Sequence, residues 1–137
     1  MRISQKLDYA CRAAVCLAKH YDGTSVVKVE EIASQEAIPA SFLVQILNEL
    51  KRAELVQSKR GKAGGYTLNR PPAAISLADL VQAIEPGVLE APSKPQGQSG
   101  PGLHAAWSEI SSSVAEQLGK TTLDALALSS DSPMYFI

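Results

Sequence analysis

At 137 residues with 45% hydrophobic and 20% charged content, the chain has enough apolar material for one packed domain with at most a small appendage. No apolar run is long enough to span a bilayer, and two cysteines are too few for a disulfide framework. The net charge of −1 conceals an asymmetry: residues 1–70 hold eleven Lys and Arg against seven Asp and Glu, and residues 71–137 hold two against seven. A basic half on a near-neutral chain suits a nucleic-acid face.

In chain order, MRISQKLDYACRAAVCLAKH is periodic and broken by charges, so it reads as a helix over 3–21 and not as a signal peptide. A cytoplasmic location is expected. Ile3, Leu7, Ala10, Cys11, Ala14, Leu17, Ala18 and Tyr21 share one face, and Tyr9, Ala13 and Cys16 form a second strip behind it. A helix apolar on two sides is buried from two sides, and here the second cover is expected from another subunit. Ser4 suits an N-cap with room for a phosphate nearby. Val26, Val27 and Val29 follow a turn as a short strand, and Glu30 to Gln35 form the first helix of a helix–turn–helix, with Ile32 and Ala33 inward.

Pro39 suits the first turn of the next helix, which runs from Ala40 to about Ala53. On a helical wheel Phe42, Leu43, Ile46, Leu47, Leu50 and Ala53 make the core stripe. Ser41, Val44, Gln45, Asn48 and Arg52 face outward, with Lys51 and Glu49 at the borders. Gln and Asn can each hold an adenine edge and Arg a guanine edge. A hairpin follows, with strands Leu55–Ser58 and Gly65–Leu68 around the loop Lys59-Arg60-Gly61-Lys62-Ala63-Gly64. Its cations suit phosphates or a narrow minor groove, and its glycines allow close backbone approach. Lys59, Arg60, Lys62, Gly64, Gly65 and Tyr66 are therefore the wing's DNA-facing candidates. A solvated surface hairpin is the plain alternative.

Pro71-Pro72 breaks the chain, and Ser76 caps a helix to Ile84 with Leu77, Leu80, Val81 and Ile84 inward. Residues 86–102 hold four Pro and four Gly in seventeen positions, so they read as a loop. Leu103, Ala106, Trp107, Ile110, Val114 and Leu118 then lie on one stripe close to a heptad seam. Such a helix is expected to pair with its twofold mate, setting two recognition helices about one DNA turn apart, ~34–36 Å. Residues 121–126 read as a final helical turn.

The fold class is mainly α with a small β-wing: a winged helix-turn-helix over 1–85, a loop over 86–102, a dimerisation helix and final turn over 103–128, and a tail over 129–137. The expected function is a homodimeric DNA-binding transcription regulator, a repressor by preference, acting on double-stranded DNA at palindromic sites. A winged helix that binds protein instead is the alternative. No enzyme is expected: His20 and His104 are far apart in sequence, Ser111-Ser112-Ser113 has no nearby base, and the glycine loop lacks Walker spacing.

Four stretches carry a family resemblance: MRISQKLDYACRA, VEEIASQEAIPASFLVQILNELKRAELVQSKRGKAGGYTLNRPP, ISLADLVQAIE and HAAWSEISSSVAEQLGKTTLDAL. The chain resembles the IscR–NsrR–CymR family of bacterial winged-helix transcription regulators. The resemblance implies a homodimer with a long crossing helix, and base contacts from Ser41 to Arg52 and from the wing around Arg60. It places Ser4, Lys6 and Tyr9 near the DNA backbone. Two departures matter. Many members hold an iron–sulfur cluster on three cysteines in the loop before the dimerisation helix, and this loop has none. Many also carry Glu where Val44 stands, and valine suits a thymine methyl.

No cofactor or metal is expected, because His104, at the position of a family histidine ligand, cannot hold a cluster without thiolates. Cys11 and Cys16, five apart on one helix, point to different sides and read first as small buried hydrophobes. The sharper alternative is a sensor, a thiol switch or unusual cluster shared across the dimer by Cys11, Cys16 and His104. Control by a regulatory protein or small-molecule effector is a third route.

Overall fold

The computed structural model describes residues 2–90 and 94–130. Helix α1 (Gln5–Lys19) opens on Ser4, whose Oγ accepts from the Leu7 N–H at 3.1 Å. Ala10, Ala13 and Ala14 along it are fully buried. Small side chains let neighbours approach closely, and α1 packs against α2 (Val29–Glu36), α3 (Ala40–Arg52), α4 (Leu77–Ile84) and α6 (Leu123–Ser130). The face of α1 expected inward is buried at Leu7, Ala10, Ala14, Leu17 and Ala18, but the second strip is largely closed as well. Ala13 and Cys16, expected to await a second subunit, are fully buried within the chain, whereas Ile3 is exposed and Cys11 and Val15 are half-buried beside a groove.

Helix α2 ends at Ala37, which takes the left-handed conformation at φ 54°, and the Ile38 N–H closes the turn on the Ala33 carbonyl at 3.1 Å. Pro39 is the residue before α3 rather than part of its first turn. Leu43, Ile46, Leu47 and Leu50 anchor α3 in the core as the wheel requires. Phe42 does not join them: its side chain is 57% exposed, because the flank of α1 beside it is polar. After α3, Glu54 takes φ 62° and its carbonyl accepts from Asn69 Nδ2 at 3.1 Å, which fixes the turn into the hairpin.

The hairpin pairs β1 (Val56–Lys59) with β2 (Gly65–Leu68), Val56 opposite Leu68 and Lys59 opposite Gly65. Leu55, expected to start the first strand, precedes it and is buried. The valine segment contributes a single antiparallel bridge, Val27 with Tyr66, made by two hydrogen bonds of 2.8 Å. Val29 instead starts α2. Two glycines here are sterically required. A Cβ on Gly64 would lie 2.2 Å from the Lys59 carbonyl oxygen, and one on Gly65 would lie 2.5 Å from that of Val27.

A full capping box between Ser76 and Asp79 starts α4. The stretch expected to be a plain loop carries a 3₁₀ turn at Pro86–Leu89, and α5 (Gly100–Lys120) starts three residues before Leu103. The end of the chain differs more. Residues 121–126 were expected to form one turn, but α6 is an eight-residue helix reaching into the expected tail. It packs on α1 and is pinned by a bridge from Ser76 to Thr122 and by the Leu123 N–H on the Ile75 carbonyl at 2.9 Å. Leu123 is fully buried. Residues 131–137 of the expected tail lie outside the described residues. No described helix is long and apolar enough to cross a membrane.

Candidate nucleic-acid interface

With its apolar stripe fixed in the core, α3 turns Ser41, Val44, Gln45, Asn48 and Arg52 to solvent, all five exposed. The carboxylate at the border of that face is occupied: Glu49 is half-buried and ion-paired with Lys6 at 2.9 Å. This pair joins the start of α1 to α3 and partly compensates the Lys6 charge. On the far side Lys51 Nζ donates to Ser58 Oγ at 2.8 Å, tying α3 to the wing. Helix and hairpin are thus braced as one surface.

Within the wing the three cations differ. Lys59 Nζ donates to the Thr24 carbonyl at 3.3 Å, so it holds the hairpin to the preceding turn. Arg60 and Lys62 are exposed and have no hydrogen-bond or ion-pair partner among the described residues. Gly61 between them adopts φ 102°, a conformation glycine tolerates freely. Gly64, Gly65 and Tyr66 are half-buried, and with Lys28, Glu30 and Arg60 they line an open concavity of about 560 Å³ between the wing and the start of α2.

The N-terminal candidates are more engaged than the sequence suggests. The Ser4 hydroxyl accepts from the Leu7 N–H and donates to the Glu85 carboxylate, which leaves no hydroxyl proton and an unfavourable charge for a phosphate there. The Tyr9 hydroxyl accepts from Gln5 Nε2 at 2.8 Å, and the Arg12 guanidinium lies 5.0 Å from its ring centroid.

The stripe on α5 is bare. Leu103, Trp107 and Ile110 are 59%, 52% and 53% exposed, Val114 and Leu118 are half-buried, and α5 has no fully buried residue. Ile3, Cys11, Val15, Leu77, Val81 and Leu126 line the mainly apolar floor of a groove of about 570 Å³, with Asp8, Arg12, Lys19 and Glu36 also in its lining. Sequence reasoning missed this groove, because its walls come from five separate helices, α1, α2, α4, α5 and α6.

The cysteines sit apart in character. Burial, reinforced by the Asp8 carboxylate, pushes the Cys11 thiol from 9.0 up to about 11. Burial, reinforced by Glu36, does the same to Cys16, whose Sγ also lies 3.4 Å from Gln35 Oε1 as a donor. Thiols so placed keep their protons at neutral pH and are poor nucleophiles and poor ligands. Iodoacetamide at pH 8 is therefore expected to label the native chain far more slowly than the urea-unfolded one, as read by mass spectrometry. Below pH 9 titration adds nothing to stability; between about 9 and about 11 the unfolded chain loses protons that the folded one keeps, so stability falls as pH rises. Equal labelling of both states would refute this placement. His104 is half-buried, and its Nδ1 has no partner among the described residues.

Residues 3–128 match the Rrf2 family, described as iron-dependent transcriptional regulators. The chain is 41% identical over 128 residues to a Mycobacterium tuberculosis protein named among HTH-type transcriptional regulators, covering 90% of this chain and 79% of that one. It is 32% identical over 131 residues to the HTH-type transcriptional regulator CymR of Bacillus subtilis, covering 96% and 93%. Among solved structures it is similar to CymR, the global cysteine regulator of B. subtilis, at TM-score 0.82, 31% identity and coverage of 96% and 99%. It is also similar to T. potens IscR at TM-score 0.78, 28% identity and coverage of 98% and 96%. The iron in the family's description finds no matching donor set among the described residues. The two thiols are held protonated, and no group of three or more His, Cys, Asp or Glu among the described residues could hold a metal ion.

Proposed function

Because the chain belongs to the Rrf2 family of DNA-binding transcriptional regulators, we propose that it acts as a homodimer on palindromic promoter sites, with α3 reading bases and the wing holding the backbone. The observation that carries this is the outward face of α3, free of any unpaired carboxylate, braced beside a wing whose Arg60 and Lys62 have no partner among the described residues. Gln45 and Asn48 suit adenine edges and Arg52 suits a guanine edge. Lys6 and Tyr9 flank the start of α3, where a DNA backbone would pass, while Ser4 serves as a helix cap.

A second copy is supported by the bare Leu103, Trp107 and Ile110 stripe, which needs an apolar partner, and by the groove between α1, α4 and α6, which offers one. Repression is the simpler sign of control, since a dimer seated across a promoter excludes polymerase by its volume alone. Such a protein works in the cytoplasm. The test is a gel-shift with genomic fragments selected by the protein itself, repeated between 50 and 200 mM salt. A regulator that neutralises six to ten phosphates should lose roughly 10³–10⁵ in affinity over that range. Binding that is absent, or flat with salt, would sink the reading.

A further inference from the structure

We propose that Phe42 is a specificity-determining residue that reads a thymine methyl group in each half-site. The inference rests on α3 being the recognition helix. Phe42 lies in the first turn of α3, and that end of a recognition helix is the part that meets base edges. Leu43 and Ile46, the next apolar residues of the stripe, are buried, so the helix is seated normally while the ring at the edge of that stripe is left outside.

Among the described residues the ring finds only partial cover. It forms one wall of a concavity of about 330 Å³ completed by Gln5, Lys6, Tyr9, Gln45 and Ile46, whose lip is polar. Helix α3 packs on α1, α2, α4 and β1, and the bare stripe that awaits a second copy lies on α5. An apolar ring on a base-reading face has one matching target in the major groove, because the thymine C5-methyl is the only apolar group that base pairs present there. Gln45, one turn further along the same helix, is positioned to hold a neighbouring adenine edge. Val44 is also exposed, at 42%, but lies across the outward face from Phe42, so the two side chains address different base pairs.

The experiment replaces each thymine of the selected duplex by deoxyuridine, which removes the methyl and keeps the pairing. Wild type, Phe42→Ala and Val44→Ala are compared by fluorescence anisotropy. One symmetry-related pair of positions should cost wild type about fourfold per half-site, the worth of burying one methyl group. The same change should cost Phe42→Ala nothing further, while Val44→Ala keeps the wild-type response at that position. Phe42 is exposed, so Phe42→Ala is expected to fold, and its thermal midpoint should match wild type. If wild type binds with steep salt dependence but no uracil position loses its effect in Phe42→Ala, this inference alone is overturned. If wild type binds no duplex, the recognition-helix reading falls and takes this inference with it.

Discussion

Ile110→Glu is expected to yield a folded monomer whose affinity for its operator is lower by about 10²–10⁴-fold, the usual gain from linking two binding modules. Leu103, Trp107 and Ile110 are each more than half exposed in a single chain, and burying such side chains fully is worth ~1.5–3 kcal/mol apiece. A twofold pairing buries every such residue twice. A glutamate at position 110 would instead bring two carboxylates into one apolar seam, near each other and without a cation. The fold itself should survive, because α5 contributes no fully buried residue to the core. Sedimentation gives the mass directly. The single tryptophan gives a second readout, since Trp107 emission should shift to the red as the seam opens to water. Glu109→Gln, on an exposed neighbouring position, should leave both mass and affinity unchanged. Dimeric Ile110→Glu protein, or a monomer that holds the operator as tightly as wild type, would refute the pairing.

The parts of this chain legible in its sequence are those where a local rule decides. The α3 stripe follows from helical periodicity, the start of α4 from the Ser76 cap, and the hairpin from glycine and cation spacing. The parts that were not legible depend on what packs alongside. Position 42 sits at the edge of the apolar stripe on a wheel, and only the polar flank of α1 decides that its ring stays out. Which side of α1 remains open depends on α6, which returns to cover it. A pattern read along one helix cannot know that. The length of α6 was hidden for the same reason: Leu123 is fixed by a bridge to a segment almost fifty residues earlier, between Ser76 and Thr122. At Ser4 the capping role was readable, but the Glu85 carboxylate that takes its proton comes from 81 positions away.

The wing supplies the second large effect, and its geometry separates charge from shape. Removing both free cations with Arg60→Ala and Lys62→Ala should weaken operator binding about a hundredfold, since a charge-assisted contact is worth ~1.5–3 kcal/mol. The salt slope should fall by about 0.9 for each phosphate released. Lys59 is held by the Thr24 carbonyl, so Lys59→Ala acts through the hairpin's position and should change the slope less. Lys94→Ala, an exposed cation ahead of α5, should change neither affinity nor slope. Gly65→Ala tests shape alone. Its methyl would sit 2.5 Å from the Val27 carbonyl oxygen, so β2 must move away and both 2.8 Å hydrogen bonds between Val27 and Tyr66 must lengthen. That change removes no charge, yet it should swing Arg60 and Lys62 out of register with α3. Affinity should therefore fall by tenfold or more while the free energy of unfolding, read by urea denaturation, drops by only the cost of two net hydrogen bonds, ~1–3 kcal/mol. If Gly65→Ala bound normally, the cations would be acting as a diffuse charge, and the bracing between wing and helix would have no part in recognition.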